Sequence, residues 1–150
     1  RGEFARKTAL IPYVAIFYLL GTNAVDQFAK PGRIAAAENH STFSPAALAK
    51  ARATGKPVFV YFTADWCLSC KANEAGAINR AAVQEAFRDK GVITLVGDWT
   101  NGDPVITRTL AEHGRNSVPL YLWYAPGAAQ PEILPQILTP GLLTDKAGAI

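Results

Sequence analysis

With 150 residues, of which 49% are hydrophobic and 18% charged, the chain can bury the core of one domain and is too apolar for a largely disordered protein. Its formal net charge is +3 at pH 7. The basic residues are scattered and form no cluster interleaved with aromatic residues, which argues against a nucleic-acid partner. The chain has two cysteines, too few for a structural disulfide framework, so we interpret the pair as reactive.

Residues 9–20 form a continuous apolar run that follows Arg6 and Lys7. The run is shorter than the roughly 20 apolar residues of a membrane-spanning helix. Three interpretations stay open: the end of a larger protein's last membrane helix, the hydrophobic region of a signal peptide, or a helix packed on the domain. In the first two cases the positive charges would stay in the cytoplasm, and everything after Gly21 would lie outside it.

The segment after the apolar run, residues 22–41, mixes Gly, Pro, Asn and charged residues and is predicted to be a linker. We therefore expect an N-terminal extension over residues 1–41 and a single domain over residues 42–150.

Four helices are predicted in this domain. Three of them begin where a capping side chain precedes a proline, because Ser, Asp or Thr can cap a helix and proline suits its first turn; the pairs are Ser44-Pro45, Asp103-Pro104 and Thr139-Pro140. The fourth covers residues 71–89 and is interrupted near Gly76.

Four strands are predicted between the helices. Residues 57–63 and 92–96 are short apolar runs, typical of strands buried on both faces. Residues 120–124 and 131–138 are two strands joined by a Pro-Gly turn and hence antiparallel. The order helix, strand, helix, strand, helix, strand, strand, helix predicts an α/β fold, with a mixed central sheet flanked by helices.

Both cysteines lie in residues 66–71 (WCLSCK), between a predicted buried strand and a helix. Backbone N–H groups and the dipole at a helix N-terminus favour a thiolate, which is the nucleophile in disulfide exchange. Cys67 is therefore the candidate nucleophile, and Cys70, one turn later, can close a disulfide with it. The alternatives are two inert core cysteines or part of a metal site, although His40 and His113 have no ligand spacing to the cysteines.

Glu74 lies four residues after Cys70, so on a continuous helix it would share the face of both cysteines. Its carboxylate could accept the proton that Cys70 loses when it attacks a mixed disulfide, and it would raise the pKa of nearby thiols. The alternative is an ordinary solvated residue. Trp66 is interpreted chiefly as apolar packing over the motif, with a second role in partner contact. Asp65 is interpreted as a solvated or capping residue at the same candidate partner surface.

Val118-Pro119 opens the predicted strand over residues 120–124. Proline is sterically allowed at the first residue of a strand. Cis bonds are only about 5–6% of X–Pro bonds, so the residues alone do not indicate the geometry of this one. Val118 is a third candidate for contact with a partner protein, together with Trp66 and Asp65.

The residues around the cysteines resemble the thioredoxin-like C-terminal domain of the DsbD family, which are bacterial membrane thiol:disulfide interchange proteins. The resemblance covers roughly residues 43–143 and is most specific from residue 56 through WCLSCK to Glu74. Residues 97–104 and 118–122 are similar to the ScsB-like branch of the family. A thioredoxin-like fold follows from the resemblance and agrees with the predicted order of elements.

The resemblance also implies a role and a location. It implies a periplasmic domain of a bacterial inner-membrane protein, which takes electrons from the cysteine pair of the adjoining membrane domain. The acceptor would be the parent's own N-terminal periplasmic domain, or another disulfide-bearing protein. Cys67 would be the attacking thiol, Cys70 the resolving thiol and Pro119 a cis-proline beside them. The cysteine pair would be the only redox group, with no added cofactor or metal.

Tyr61 departs from the family pattern. Thioredoxins and many DsbD-like domains carry a buried acid six residues before the first cysteine, and here that position is tyrosine. A phenol with a free pKa of about 10 is neutral at pH 7 and cannot replace a carboxylate as a proton carrier. The proton would then pass to Glu74 or to water.

We therefore expect a thiol–disulfide oxidoreductase that relays electrons from a membrane partner domain to periplasmic disulfides. Three alternatives stay open: a free-standing disulfide oxidase or isomerase, a Cys-x-x-Cys module that binds copper, and a structural adaptor. The lack of methionine counts against copper, because copper(I) favours soft thiolate and thioether ligands.

Overall fold

The computed structural model describes residues 40–150 of the chain, so the apolar run over residues 9–20 and most of the predicted linker lie outside the described residues. In chain order the elements are β1 (His40–Thr42), α1 (Pro45–Ala53), β2 (Val58–Thr63), α2 (Leu68–Asn73), a π-helical turn (Glu74–Ile78), α3 (Ala81–Asp89), β3 (Ile93–Asp98), α4 (Pro104–Glu112), β4 (Leu120–Tyr124), β5 (Glu132–Ile133) and α5 (Pro140–Gly148). In this described part, no helix is both long and apolar enough to cross a membrane.

The five strands form one mixed sheet in the order β1-β3-β2-β4-β5. β3 pairs in parallel with both β1 and β2, whereas β4 pairs antiparallel with both β2 and β5. The connections between the parallel strands β1, β2 and β3 contain helices, because parallel neighbours need a long connection between them. The predicted α/β fold with a mixed sheet flanked by helices is confirmed.

Strand β2 lies at the centre of this sheet, and all six of its residues are buried. Its alternate side chains enter two different apolar clusters: Val58, Val60 and Phe62 in one, and Phe59 and Tyr61 in the other. Each fully buried large side chain contributes about 1.5–3 kcal/mol relative to exposure. This burial on both faces explains why the sequence of β2 is apolar without alternation.

The three helix starts predicted from a cap and a proline are confirmed. The side chains of Ser44, Asp103 and Thr139 each accept a hydrogen bond from a backbone N–H two or three residues further on. Such caps are each worth about 0.5–2 kcal/mol.

Strand β1 was not predicted. Its sequence, His-Ser-Thr, has no apolar run, and two of its residues lie in the predicted linker. It is a strand because of a tertiary contact, the parallel pairing of His40–Thr42 with Thr94, Leu95 and Val96 of β3.

Strand β5 is much shorter than the predicted strand over residues 131–138. Only Glu132–Ile133 is a strand. Pro135 has no N–H to donate, and beyond it the chain turns so that the Asn73 side chain binds the Gln136 carbonyl and the Leu138 N–H. At Gln136 and Leu138, the Asn73 side chain is therefore the hydrogen-bond partner of the backbone in place of a neighbouring strand.

The predicted interruption of the helix near Gly76 is confirmed. The chain passes from α2 into the π-helical turn, and α3 begins only at Ala81. Turns of this kind insert an extra residue into a helix and often accompany functional sites.

We expect Gly97→Ala to destabilise the domain by about 1–3 kcal/mol through overpacking. An added Cβ would overlap the Phe62 ring, which is fully buried. The measurement is the free energy of unfolding in urea.

Gly141→Ala in α5 is the matched control. An added Cβ there meets no described atom within 4 Å, so the variant should be neutral or more stable by up to about 1 kcal/mol. Unchanged stability of Gly97→Ala would contradict the close packing of β3 on β2.

Candidate active site

Cys67 and Cys70 form a disulfide at the N-terminus of α2, with their Cα atoms 5.2 Å apart. Cys67 is the N-cap residue, and its Sγ accepts a hydrogen bond from the Cys70 N–H at 3.2 Å. The Ser69 hydroxyl lies 3.5 Å from the same sulfur. When the pair is reduced, these donors and the helix dipole can stabilise a thiolate on Cys67.

The two sulfurs differ in access. Both cysteines are buried, but Cys67 is 6% exposed and Cys70 only 1%. An incoming disulfide therefore reaches Cys67 more readily. This geometry fits the predicted division into an attacking and a resolving thiol, which stays a prediction.

The Val118–Pro119 peptide bond is cis, the geometry that the family resemblance implies. Val118 is buried in the same apolar cluster as Cys67 and Cys70. Pro119 directly precedes β4, the strand that pairs with β2. The sheet therefore brings this bond to the end of β2 from which the cysteine segment emerges. The roles predicted for Val118 and Pro119 stay predictions.

Glu74 is the first residue of the π-helical turn, and its backbone N–H still bonds to the Cys70 carbonyl. One carboxylate oxygen accepts a hydrogen bond from the Thr63 hydroxyl at the end of β2. The other lies 3.4 Å from the Lys71 ammonium group, and the side chain is only 19% exposed. Glu74 is therefore not an ordinary solvated residue: it is held between β2 and the helix that carries the cysteines.

The phenols of Tyr61 and Tyr121 are both kept neutral. Burial raises the pKa of Tyr61 far above its usual value, and the nearby Glu74 carboxylate raises it further. Burial raises the pKa of Tyr121 to about 12, with the hydrogen bond from Asn73 acting against this and the charge of Glu74 adding to it. Tyr61 therefore cannot act as the buried carboxylic acid that the family pattern has at this position.

Trp66 and Leu68 expose apolar surface beside Cys67. The Trp66 side chain is 58% exposed and Leu68 84% exposed. Trp66 is thus more open than a packing role alone predicts, although its ring lies 6.0 Å from that of Trp99. The Asp65 side chain is 78% exposed, and its carboxylate lies 3.6 Å from the Lys71 ammonium group.

Thr100 holds this exposed surface in place and was missed in the sequence. Its hydroxyl accepts a hydrogen bond from the Asp65 N–H, and its carbonyl accepts one from the Trp66 indole. The same hydroxyl donates to the Asp98 carboxylate, which lowers the pKa of that acid. No local pattern around Thr100 indicates contacts with residues so far away in the sequence.

Asn73 was also missed, although a signal was present. Asparagine is disfavoured inside helices because its side chain competes for backbone hydrogen bonds, so its place one turn after Cys70 suggests a specific partner. It is buried and donates to the Tyr121 hydroxyl at 2.8 Å and the Gln136 carbonyl at 2.7 Å. Its carbonyl accepts from the Leu138 N–H at 3.0 Å. The side chain therefore connects α2 to β4 and to the segment after β5.

The cysteine pair is the redox group that the structure provides. Within residues 40–150, no three or more His, Cys, Asp or Glu side chains are grouped to hold a metal ion.

Comparison with known proteins agrees with this site. Residues 38–126 match the sequence model of the thioredoxin-like family. The thiol:disulfide interchange protein DsbD 1 of Pseudomonas aeruginosa is 35% identical over 82 residues, which are 55% of this chain and 14% of that protein. DsbD of Ralstonia nicotianae is 44% identical over 54 residues, 36% of this chain and 9% of that protein. The chain thus spans a small part of the length of these relatives.

Solved structures show which part of DsbD is similar. The reduced C-terminal domain of Neisseria meningitidis DsbD is 25% identical, with a TM-score of 0.57 over 73% of this chain and 98% of that domain. A thioredoxin from Thermus thermophilus has the same fold, with a TM-score of 0.58 at 18% identity over 74% of this chain and 85% of its own. The chain therefore belongs to the thioredoxin-like family, and within it is similar to the C-terminal domain of DsbD.

Proposed function

We propose that this domain is a thiol–disulfide oxidoreductase that relays electrons from a membrane partner domain to periplasmic proteins carrying disulfides. The observation that carries the proposal is the Cys67–Cys70 disulfide at a helix N-terminus, with a backbone N–H donating to the Cys67 sulfur. Its similarity to the C-terminal domain of a thiol:disulfide interchange protein supports disulfide exchange as the reaction, and the direction of electron flow is what the family resemblance implies.

The reaction begins with the reduced pair. The Cys67 thiolate attacks one sulfur of the partner's disulfide, and the partner's other sulfur leaves as a thiolate. Cys70 then loses its proton and attacks the Cys67 sulfur of the mixed disulfide. The partner's second thiolate leaves, so two electrons have reduced its disulfide and Cys67–Cys70 is oxidised. A dithiol of the membrane domain reduces the pair again by the same exchange.

Glu74 is the residue that receives the Cys70 proton in this scheme. Its backbone is bonded to the Cys70 carbonyl, and its carboxylate is held toward β2 by Thr63. A general base must lie within reach of the proton that it removes, directly or through one water molecule. The family pattern has an acid at the positions of Tyr61 and Glu74, and in this chain only Glu74 is an acid.

Partner proteins would dock on the surface around Cys67. The exposed apolar side chain of Trp66 and the charged Asp65 lie beside it, and Val118 with the cis-Pro119 lies at the neighbouring end of β4. An extended partner segment could lie along these residues with its disulfide against Cys67.

We also propose where the domain lies in the cell and what kind of protein it belongs to. The family resemblance supports a periplasmic domain of a bacterial inner-membrane protein, with the parent's membrane domain as electron donor. Membership of the ScsB-like branch stays a prediction.

Two alternatives differ in measurable ways. A free-standing oxidase or isomerase would use the same cysteines but leave its partners oxidised or rearranged. A copper-binding module would bind one copper(I) per reduced pair and would not exchange disulfides.

We expect Cys70→Ala to trap a partner. Without the resolving thiol, the mixed disulfide through Cys67 cannot be released and should accumulate in cells that make the full-length parent protein. Non-reducing electrophoresis and mass spectrometry of the trapped species measure it.

Cys67→Ala is the matched control, since it leaves only Cys70, the less exposed of the two cysteines, and should trap little or nothing. Failure of Cys70→Ala to form a mixed disulfide with a membrane-domain or periplasmic partner would contradict the relay.

We expect Glu74→Gln to slow the resolving step by about 100-fold or more, the usual size of a general-base effect. Glutamine keeps the size of the side chain and can still accept the Thr63 hydrogen bond, but it cannot take a proton. Stopped-flow release of a labelled thiol from the mixed disulfide measures this step, and alkylation of Cys67 measures the attacking thiol separately.

Glu85→Gln serves as the comparison, because Glu85 is an exposed residue of α3. Equal resolving rates in Glu74→Gln and Glu85→Gln would show that water alone takes the Cys70 proton.

A further inference from the structure

Trp66 exposes an apolar ring beside Cys67, while the polar edge of that ring is bonded within the domain. The side chain is 58% exposed, yet its indole N–H donates to the Thr100 carbonyl at 3.2 Å. Because that donor is already used, the ring offers an incoming partner apolar surface. Leu68, which follows Cys67 in the chain, is also exposed. The nucleophile therefore has an exposed apolar side chain on either side of it in the sequence.

Thr100 is itself held by its hydroxyl, which acts both as donor and as acceptor. The hydroxyl accepts a hydrogen bond from the Asp65 N–H at 2.9 Å and donates to the Asp98 carboxylate. The same carboxylate oxygen accepts a bond from the Thr100 N–H at 2.8 Å. Hydrogen bonds to an ionised group are stronger than those between neutral groups. The backbone of Thr100 is thus tied to the end of β3 and to the residue before Trp66.

A second indole supports the Trp66 ring. The ring of Trp99 lies 6.0 Å from that of Trp66 and is inclined to it by 59°, a distance at which aromatic pairs attract each other. The Trp99 N–H donates to the Thr107 hydroxyl of α4 at 2.8 Å, and its carbonyl accepts from the Gly102 N–H at 3.0 Å. Rotation of Trp66 away from this position therefore breaks a hydrogen bond and an aromatic contact together.

We propose that Thr100 is a positioning residue, which fixes Trp66 so that the site prefers disulfides in protein segments with apolar side chains next to the cysteine. This inference rests on the proposed function and deepens it, because it states which substrates the surface around Cys67 selects. A ring that is ordered before the partner arrives loses little conformational freedom on binding. An apolar side chain of the partner then buries part of the Trp66 ring, which favours that partner over a polar one.

A pair of short synthetic peptides makes this preference measurable. Each carries one cysteine as a mixed disulfide with nitrothiobenzoate, and the cysteine is flanked by leucines in one peptide and by serines in the other. The Cys67 thiolate of the reduced chain attacks the peptide sulfur, and the coloured nitrothiobenzoate leaves as a thiolate. Cys70 then loses its proton and attacks the Cys67 sulfur, so the peptide leaves as a thiolate and Cys67–Cys70 is oxidised.

We expect the wild-type chain to react faster with the leucine peptide, and Thr100→Val to lose this preference. Valine keeps the shape of threonine but cannot bond to Asp65 or Asp98. The ratio of the two second-order rate constants, leucine over serine, should fall about tenfold, the lower end of what one apolar contact contributes to selectivity. The ratio cancels any change in the reactivity of Cys67 itself, and stopped-flow absorbance of the released nitrothiobenzoate measures both rates.

Thr100→Ser and Thr144→Val are the matched controls. Serine retains the hydroxyl at residue 100 and should keep the preference for leucine. Thr144→Val makes the same substitution on α5, where the threonine hydroxyl bonds to the Gly141 carbonyl of its own helix, and should have the wild-type ratio. A fall in the ratio for Thr144→Val, or one for Thr100→Ser as large as for Thr100→Val, would contradict a specific role of the Thr100 hydroxyl.

Hydrogen exchange of the indole N–H groups tests the positioning without a substrate. The sequence has three tryptophans, whose indole signals NMR can follow separately. In Thr100→Val the Trp66 N–H should exchange several-fold faster, since its acceptor is no longer held in place. The N–H of Trp123, which is buried in β4, should keep its rate. An unchanged exchange rate at Trp66 overturns the inference even if the peptide ratio falls.

The outcomes separate this inference from the proposed function. If Cys70→Ala traps a partner but the wild-type chain does not distinguish the two peptides, or Thr100→Val keeps the wild-type ratio, the role of Thr100 is refuted and the relay stands. If the reduced chain reacts with neither peptide and no partner is trapped, the proposed function fails and the role of Thr100 fails with it. A leucine preference that Thr100→Val loses and Thr100→Ser retains, together with faster exchange at Trp66, supports the inference.

Discussion

Strand β2 is buried on both faces and hydrogen-bonded on both edges, so its position admits little variation. The chain leaves the sheet only after Thr63, and a short turn brings Cys67 to the start of α2. The cysteine sulfur therefore meets the helix N–H groups because the central strand ends where it does. Thr63 also holds the Glu74 carboxylate, so the same strand end positions both the nucleophile and this acid.

One carboxylate dominates the electrostatics behind the cysteines. In place of the family's second acid there is Tyr61, and its pKa is raised so far that it stays neutral. Glu74 acts on this phenol, on Tyr121 and on His40.

The parts of the fold that depend on local sequence could be predicted. The apolar run of β2 and the cap-and-proline helix starts at Ser44, Asp103 and Thr139 are signals of that kind. β1 and the end of β5 could not be predicted, because they depend on pairing with β3 and on the buried side chain of Asn73. The same holds within the site: the cysteines lie in a local motif, whereas the contacts of Thr100 join residues far apart in the sequence.

In the proposed relay, the Cys67–Cys70 pair donates electrons to its partners. The most direct test is its reduction potential, measured by equilibrating the domain with glutathione buffers and alkylating the free thiols. A relay requires a reducing pair, so we expect a value nearer the roughly −270 mV of thioredoxin than the roughly −120 mV of the oxidant DsbA. A value near −120 mV would contradict the relay and favour a disulfide oxidase.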